Sequence, residues 1–389
     1  MKLSTTPEPV TIAKAATTAT AATAPDNFIP AVCDISVTNV CNAACDFCGF
    51  SRDKKLAGPR RYLDPDAFAR ALPILRRRRI KYVTFQGGEP LVHPDIDALV
   101  ASASQAGMVC AIITNGWFLP RHIERLAQAG LKRLLVSIDS PNIHEHELNR
   151  GLNGLGPRIS AGLAAARAHG IFTCASVTVS RLVRYDALPE TLAELGFDAV
   201  SFSYPRRAPF GSTSLVYDEA SKLIDLDTQE LLDALRAIVR MKRHFRVLDP
   251  SGALAEVERF VRGEEQRVPC IGGRKYFYID WNLDIWRCEA WSEPMGSVFD
   301  LDDLPDETEP CNACTMSCYR HASVLMHGAI AVADALQAFR HGNVQAAVNA
   351  LRQQGVLYSI WSLSRETLPR QMLRSRAKMA PAPAAQVDG

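Results

Sequence analysis

VCDISVTNVCNAACDFC, residues 32–48, decides the fold. It opens as an apolar, β-branched run, which reads as a strand, and ends in a short loop with three cysteines spaced Cys41-x3-Cys45-x2-Cys48. At this cysteine frequency, chance gives such a triple roughly 0.01 times in a chain of this length. Thiolates grouped in one loop select zinc or an iron–sulfur cluster. Three ligands suit a cubane cluster that leaves one iron open to an outside ligand. A zinc site with a fourth ligand elsewhere is the competing reading.

Five more strand-like runs follow, at 81–86, 108–114, 133–139, 172–179 and 198–203. Amphipathic helical stretches separate them at 65–79, 94–106, 120–129, 157–169 and 186–195. Strands alternating with helices predict an α/β fold with a parallel sheet, either a partial or full barrel or a doubly wound sheet. The cysteine loop then sits at the C-terminal mouth of the sheet, where such folds bind ligands. The second strand ends in Gly87-Gly88-Glu89-Pro90, where two glycines let backbone approach a ligand and Glu89 offers an acceptor for an amino group. The next two strands end in Thr114-Asn115-Gly116 and Ser137-Ile138-Asp139. Polar residues at four successive strand ends define a site.

The whole chain has 389 residues, 47% hydrophobic and 22% charged, which excludes wholesale disorder. Lys and Arg total 44 against 42 Asp and Glu, so no global basic field for nucleic acid exists. No apolar run reaches the ~18–20 residues of a membrane span. Eleven cysteines, with no Leu-rich signal core at the N-terminus, point to a reducing cytoplasm where clustered cysteines bind metal or do chemistry. The expected organisation is a low-complexity, disordered 1–27, a barrel over 28–205, a helical connector over 206–265, a Cys-rich segment over 266–321, helices over 322–378 and a disordered tail over 379–389.

Together, Cys41, Cys45, Cys48, Phe47 before the third cysteine, GGEP at 87–90, TNG at 114–116 and SIDSPNIHEHELNRG at 137–151 resemble the radical S-adenosylmethionine (radical SAM) superfamily over about residues 30–205. The resemblance implies a partial (β/α)6 TIM-like barrel and a [4Fe–4S] cluster on Cys41, Cys45 and Cys48, with S-adenosylmethionine (SAM) on the open iron. Gly87, Gly88 and Glu89 would hold the SAM amino group, and Arg150 would face its carboxylate. Ser137 and Asp139 would lie near the ribose or methionine part, Phe47 beside the adenine, and Asn115 within the same cofactor site. One electron, from a donor such as flavodoxin or ferredoxin, would cleave SAM to methionine and a 5′-deoxyadenosyl radical that abstracts a substrate hydrogen.

Five cysteines form a second set: Cys270, Cys288, Cys311, Cys314 and Cys318. Cys270 and Cys288 flank YFYIDWNLDIWRC, which reads as a β-hairpin around Asn282. A hairpin with a CxxC is one way to hold zinc. Beside the upstream domain, the segment resembles the twitch or SPASM auxiliary-cluster extensions of the superfamily. It departs from them in carrying Leu283 at the hairpin glycine, so that a positive φ is expected at Asn282, and in having too few cysteines for a full SPASM set. The resemblance therefore implies one auxiliary [4Fe–4S] cluster, with Cys270 and Cys288 as ligands and two of Cys311, Cys314 and Cys318 completing it.

Other features read as structure. Cys33, Cys110 and Cys174 are core residues. Arg76–Arg79 is a solvated helix end, and His144 and His146 are surface or loop residues. The aromatics Tyr276, Phe277, Tyr278, Trp281, Trp286 and Trp291 pack around the auxiliary cluster, with one or two left to line a pocket. Arg365, Arg370, Arg374, Arg376 and Lys378 form a solvated basic end. Tyr204, Arg206 and Arg207 shape a loop or line the substrate pocket. Two reactions compete: dehydrogenation or rearrangement of a small molecule in cofactor or natural-product biosynthesis, and maturation of a ribosomally made peptide. Only about 30 residues precede the first strand, too few for an N-terminal peptide-binding domain, which favours the small molecule. A non-catalytic iron–sulfur or zinc protein is the remote third reading.

Overall fold

The computed structural model describes residues 28–51, 59–205, 221–307 and 309–366. The first unit runs β1 (Ala31–Thr38), α1 (Pro65–Arg77), β2 (Ile80–Gly87), α2 (Ile96–Gln105), β3 (Val109–Thr114), α3 (Leu119–Gln128), β4 (Arg133–Ser137), α4 (Ile143–Arg150), α5 (Leu155–Ala168), β5 (Phe172–Thr178), α6 (Leu188–Leu195) and β6 (Ala199–Ser203). Two helices follow, α7 (Thr228–Met241) and α8 (Ser251–Val261), then β7 (Tyr276–Ile279), β8 (Asp284–Trp286) and β9 (Gly296–Ser297). The chain closes with α9 (Ser317–Arg340), α10 (Val344–Leu351) and α11 (Val356–Arg365).

The sheet order is β6-β5-β4-β3-β2-β1-β7-β8-β9, with β1 to β6 all parallel. From β1 to β6 consecutive strands are neighbours, so each of these crossovers steps the same way, and the chain then returns to set β7 beside β1. That order belongs to a partial TIM-like barrel; a doubly wound sheet reverses direction at a switch point. One hydrophobic core runs from β1 Ile35 and β2 Phe85 through β6 Phe202 to Phe277 and Ile285 of the hairpin. Cys33, Cys110 and Cys174 are buried within the strands, as small apolar residues would be.

Local signals set the element ends. Asp64 caps α1 by accepting from Ala67 N at 2.7 Å, with Pro65 in the first turn. Asp227 and Glu230 form a full capping box at α7. Asn142 caps α4, a helix hidden within the motif segment, and Gly151 ends it at φ 61°.

Several expectations change. The Arg76–Arg79 run is not merely solvated: Arg77 pairs with Asp302 at 2.5 Å and Arg78 with Asp306 at 2.8 Å, tying α1 to the loop after the hairpin. Phe277 and Trp281 belong to the barrel core, Trp281 meeting Phe50 edge-on, and do not surround the second cysteine set. Helix α9 is long and apolar enough to cross a membrane by length and composition, contrary to the expectation of no such run. It packs on α10 and α11 and buries Arg320, whose guanidinium donates to Val268 O at 2.6 Å. Arg206, Arg207, Arg370, Arg374, Arg376 and Lys378 lie outside the described residues.

The hairpin turn also differs. Positive φ falls on Leu283 itself, at 64°, and not on Asn282. Asp280 Oδ1 accepts from both Asn282 N and Asp284 N, which fixes the turn. The Leu283 side chain, 2% exposed, joins the main core. A left-handed residue with a side chain costs about 1–2 kcal/mol, so core burial here outweighs backbone strain. Leu283→Ala is expected to lose the burial and keep the strain, at about 2–4 kcal/mol. Leu283→Gly sheds the strain and is expected to be the more stable of the two by about 1 kcal/mol, the reverse of the usual alanine–glycine order. Thermal unfolding of both variants checks this, and an alanine variant equal to or above the glycine one contradicts it.

Candidate functional site

Four strand ends meet at the mouth of the sheet. The cysteine loop leaves β1 at Thr38, and Gly87-Gly88 at the end of β2 is zipped onto it. Gly88 N donates to Thr38 O and Glu89 N to Val40 O, each at 2.8 Å. Gly87 has φ +133°, and a Cβ there would lie 2.3 Å from Thr38 O. A Cβ on Gly88 would lie 2.3 Å from Val40 O. Only glycine permits this approach of strand end to loop.

Glu89 is buried, and its carboxylate braces two strands. Oε1 accepts from Thr114 Oγ1 at 2.6 Å and Leu91 N at 3.0 Å, while Oε2 accepts from Asn115 N at 2.7 Å. Burial pushes its carboxyl up, against the pull of these donors. Asn115 in turn donates from Nδ2 to Asn42 Oδ1 at 2.8 Å, inside the cysteine loop.

Arg150 and Asp139 form the charged centre. The guanidinium grips Asp139 with two hydrogen bonds, Nε to Oδ2 at 2.8 Å and Nη2 to Oδ1 at 2.7 Å. Asn149 Nδ2 also donates to Asp139 Oδ2 at 2.8 Å. Burial alone would raise the Asp139 carboxyl, but Arg150 and His146 hold it well below the usual carboxylate range. The same pairing holds the Arg150 cation above its ordinary value despite burial. Arg150 reaches the cysteine loop twice. Its carbonyl accepts from Ala44 N at 2.8 Å, and its charge acts on Cys45 and Cys41.

His146 corrects the expectation of a surface or loop histidine. It is fully buried, its Nδ1 accepts from Asp139 N at 3.2 Å, and its ring lies 3.3 Å from the Asp139 carboxylate. Nε2 has no partner among the described residues. The sequence signal was present in the four-residue spacing of His146 and Arg150, which puts both on one face of α4. His144 accompanies the helix cap, its N–H donating to Asn142 Oδ1.

The three loop cysteines lie close enough to influence one another electrostatically. Burial pushes the Cys45 thiol up to about 12, and Arg150 opposes this. Burial likewise raises Cys41, whose Sγ accepts from Ala43 N at 3.4 Å. Among the described residues, neither cysteine set brings three sulfurs within 4.8 Å of one another. The three neighbouring thiols, the adjoining Arg150 cation and the glycine ledge fit a cluster of several irons with a ligand beside it. Phe47 is buried in the same loop, and Ser137 is partly buried at the end of β4.

The second set gathers near the start of α9. Cys270 N donates to Cys311 O at 2.9 Å, and Gly272 N to Cys270 Sγ at 3.4 Å. Burial raises the Cys270 thiol to about 11, with Cys314 adding to the rise and Arg320 opposing it. Cys288, Cys270 and Cys318 pack on a small cluster of Ile271, Tyr276 and Tyr319, in which the two tyrosine rings stack at 4.2 Å. Tyr204 is buried beside Asp249.

The family model of the radical SAM superfamily matches residues 35–195. A probable GTP 3′,8-cyclase of Pyrobaculum aerophilum is 28% identical over 195 residues, covering 49% of this chain and 61% of its own length. A GTP 3′,8-cyclase of Stenotrophomonas maltophilia is 34% identical over 142 residues, covering 35% and 42%. The chain thus spans less than two thirds of these relatives. SuiB of Streptococcus suis, crystallised with the precursor peptide SuiA, superimposes with a TM-score of 0.55 at 16% identity, over 72% of this chain and 65% of that one. That likeness is one of fold.

Proposed function

We propose, from the premise that this chain belongs to the radical SAM superfamily, that it reductively cleaves SAM and uses the resulting 5′-deoxyadenosyl radical to take a hydrogen from a small-molecule substrate. Members of the family bind a [4Fe–4S] cluster and SAM. The observation that carries the reading is the joining of the Cys41, Cys45 and Cys48 loop to the Gly87-Gly88 ledge on one side and the buried Arg150–Asp139 pair on the other.

A [4Fe–4S] cluster held on Cys41, Cys45 and Cys48 would, when reduced, supply one electron to SAM. The protein's part is to orient and exclude water. Cys41, Cys45 and Cys48 would hold three irons. Gly87 and Gly88 would offer backbone to the SAM amino group, with Glu89 fixing the ledge through Asn115 and Thr114. Arg150 would meet the SAM carboxylate while Asp139, locked by His146 and Asn149, keeps the guanidinium aimed. Phe47, Ser137 and Asn115 would complete the walls against the adenine and ribose. The electron would come from a flavodoxin- or ferredoxin-type donor. Cys270, Cys288 and two of Cys311, Cys314 and Cys318 would hold one auxiliary [4Fe–4S] cluster, which would supply a site for one-electron exchange.

A small molecule is favoured because the curated relatives named above are cyclases of GTP. Anaerobic reconstitution is expected to give about eight irons per chain, with matching sulfide. Addition of SAM and dithionite is then expected to yield 5′-deoxyadenosine. About four irons with deoxyadenosine intact would remove the auxiliary cluster, and no deoxyadenosine would remove the reading itself.

A further inference from the structure

Five cysteines are one more than a four-thiolate cluster needs, and among the described residues Cys318 is the one of the five whose sulfur lies within 4.8 Å of two buried carboxylates. Cys270 has Cys314, Arg320 and Cys311 as its charged neighbours. The charges bearing most on Cys318 are Glu289 and Asp34, ahead of Cys314. Cys318 Sγ, a carboxylate oxygen of Asp34 and one of Glu289 all lie within 4.8 Å of one another. Asp34 and Glu289 are 3% and 2% exposed. Three separate parts of the chain supply these groups: β1, the segment after β8 and the first turn of α9.

Two ligand atoms on one tetrahedral zinc ion, bonded at about 2.0–2.3 Å, are about 3.3–3.8 Å apart, so side-chain shifts of about an ångström close this group on a single ion. Two carboxylates and a thiol held this close in a buried place repel one another unless a cation or shared protons intervene. The carboxylates are also braced by neighbours, Asp34 by Tyr276 and Thr84 and Glu289 by Gln86. Tyr276 Oη donates to Asp34 Oδ2 at 2.9 Å, and Gln86 Nε2 to Glu289 Oε1 at 2.5 Å.

Two buried hydroxyls beside the group have no hydrogen-bond partner among the described residues: Tyr319 Oη and Ser36 Oγ. Tyr319 is 1% exposed, and the charges bearing most on it are Glu289 and Asp34. Ser36 is 0% exposed, lies two residues beyond Asp34 on the same strand face, and is in register with Gln86. A water on a bound ion would supply the partner each hydroxyl lacks.

We propose that Asp34, Glu289 and Cys318 form a mononuclear site for a divalent transition-metal ion of the zinc type, completed by water. The assignment of Cys270, Cys288, Cys311 and Cys314 as the auxiliary cluster's four ligands rests on the reading given under Proposed function; the metal site does not. The mixed oxygen and sulfur donor set suits zinc, and its tie between β1 and α9 would pin the Cys-rich segment to the barrel.

The test is metal analysis of the reconstituted full-length chain after incubation with Zn2+ and desalting. Wild type is expected to keep about one zinc beside about eight irons. Asp34→Asn, Glu289→Gln and Cys318→Ala are each expected to keep the iron and lose the zinc. Cys270→Ala is expected to do the opposite, falling to about four irons and keeping its zinc. Circular dichroism checks that each variant is folded, and the two carboxylate variants, nearly isosteric, stand in should Cys318→Ala fail. Wild type retaining no zinc overturns the proposal in favour of a proton shared by Asp34 and Glu289. Zinc retained in all three site variants overturns it as well. Iron falling to about four in Cys318→Ala, with zinc unchanged, makes Cys318 a cluster ligand instead. Wild type with about four irons and one zinc would remove the auxiliary cluster; zinc then lost in Asp34→Asn and Glu289→Gln but kept in Cys270→Ala upholds this site, and zinc lost in Cys270→Ala but kept in the carboxylate variants overturns it.

Discussion

Cys45→Ala is expected to abolish the formation of 5′-deoxyadenosine from SAM and to lower the iron content from about eight to about four per chain. Cys45 is 6% exposed and is the loop cysteine on which Arg150 acts most strongly. Its neighbour Ala44 is tied to the Arg150 carbonyl, and Asp46 accepts from the Ser221 hydroxyl, so the loop keeps its path when one sulfur is removed. The fold itself loses only about 1 kcal/mol, within the range of ordinary substitutions. The result therefore reads chemistry and not unfolding. Cys110→Ala is the matched control: its thiol is equally buried but sits mid-strand in β3, and iron and product are expected to stay at wild-type levels. Deoxyadenosine persisting in Cys45→Ala would show that the loop does not hold the catalytic cluster.

Arg150→Met is expected to be the most destabilising single change at the site. It leaves the Asp139 carboxylate buried at 1% exposure with its main counter-charge gone, a loss of about 3–5 kcal/mol for a broken buried pair. The effect depends on pH with a definite sign. Asp139 is held below the carboxylate's unfolded value, near 4, so the pair contributes fully above that value and its contribution fades as pH falls through the acid range below it. Wild type is thus expected to lose stability steeply below about pH 4, whereas Arg150→Met, weak already at pH 7, shows a flatter acid limb. Denaturant melts at pH 7 and pH 3 check both halves. The variant is also expected to bind SAM more weakly even where it is folded, since the cation is lost. Arg150→Lys retains charge but not the two-pronged grip, and is expected to fall between the two. A variant as stable as wild type at pH 7 would show that Asp139 does not depend on Arg150.

The parts of this site that lie close together in sequence were readable from the sequence. The run 32–38 became β1, 81–86 became β2 and 172–179 became β5, each within a residue at either end, because β-branched periodicity and flanking turns are local properties. The cysteine loop and the Gly87-Gly88 ledge were readable for the same reason. Choosing between a barrel and a doubly wound sheet needed the strand order, which no local pattern encodes. His146 was misread because α4 is short and polar, so its buried face shows only once Asp139 is placed against it. Leu283 escaped because the rule that a left-handed turn takes glycine weighs backbone alone, whereas the core gained a leucine there. Nothing in the spacing of Asp34, Glu289 and Cys318 hints that they meet. Their meeting follows from β7 lying beside β1, a pairing between segments far apart in the chain.

That pairing has a second consequence, for how the molecule avoids sticking to its own kind. Strand β1 is eight residues long and buried along most of its length, and without β7 it would end the sheet with its N–H and C=O groups bare. Such an edge recruits strands from other molecules. Here β7 covers it, and the sheet tapers through the three residues of β8 to the two of β9, too short to template a neighbour. A chain whose Cys-rich segment has not yet docked therefore exposes a long strand edge, so that docking this segment and guarding against aggregation are one event.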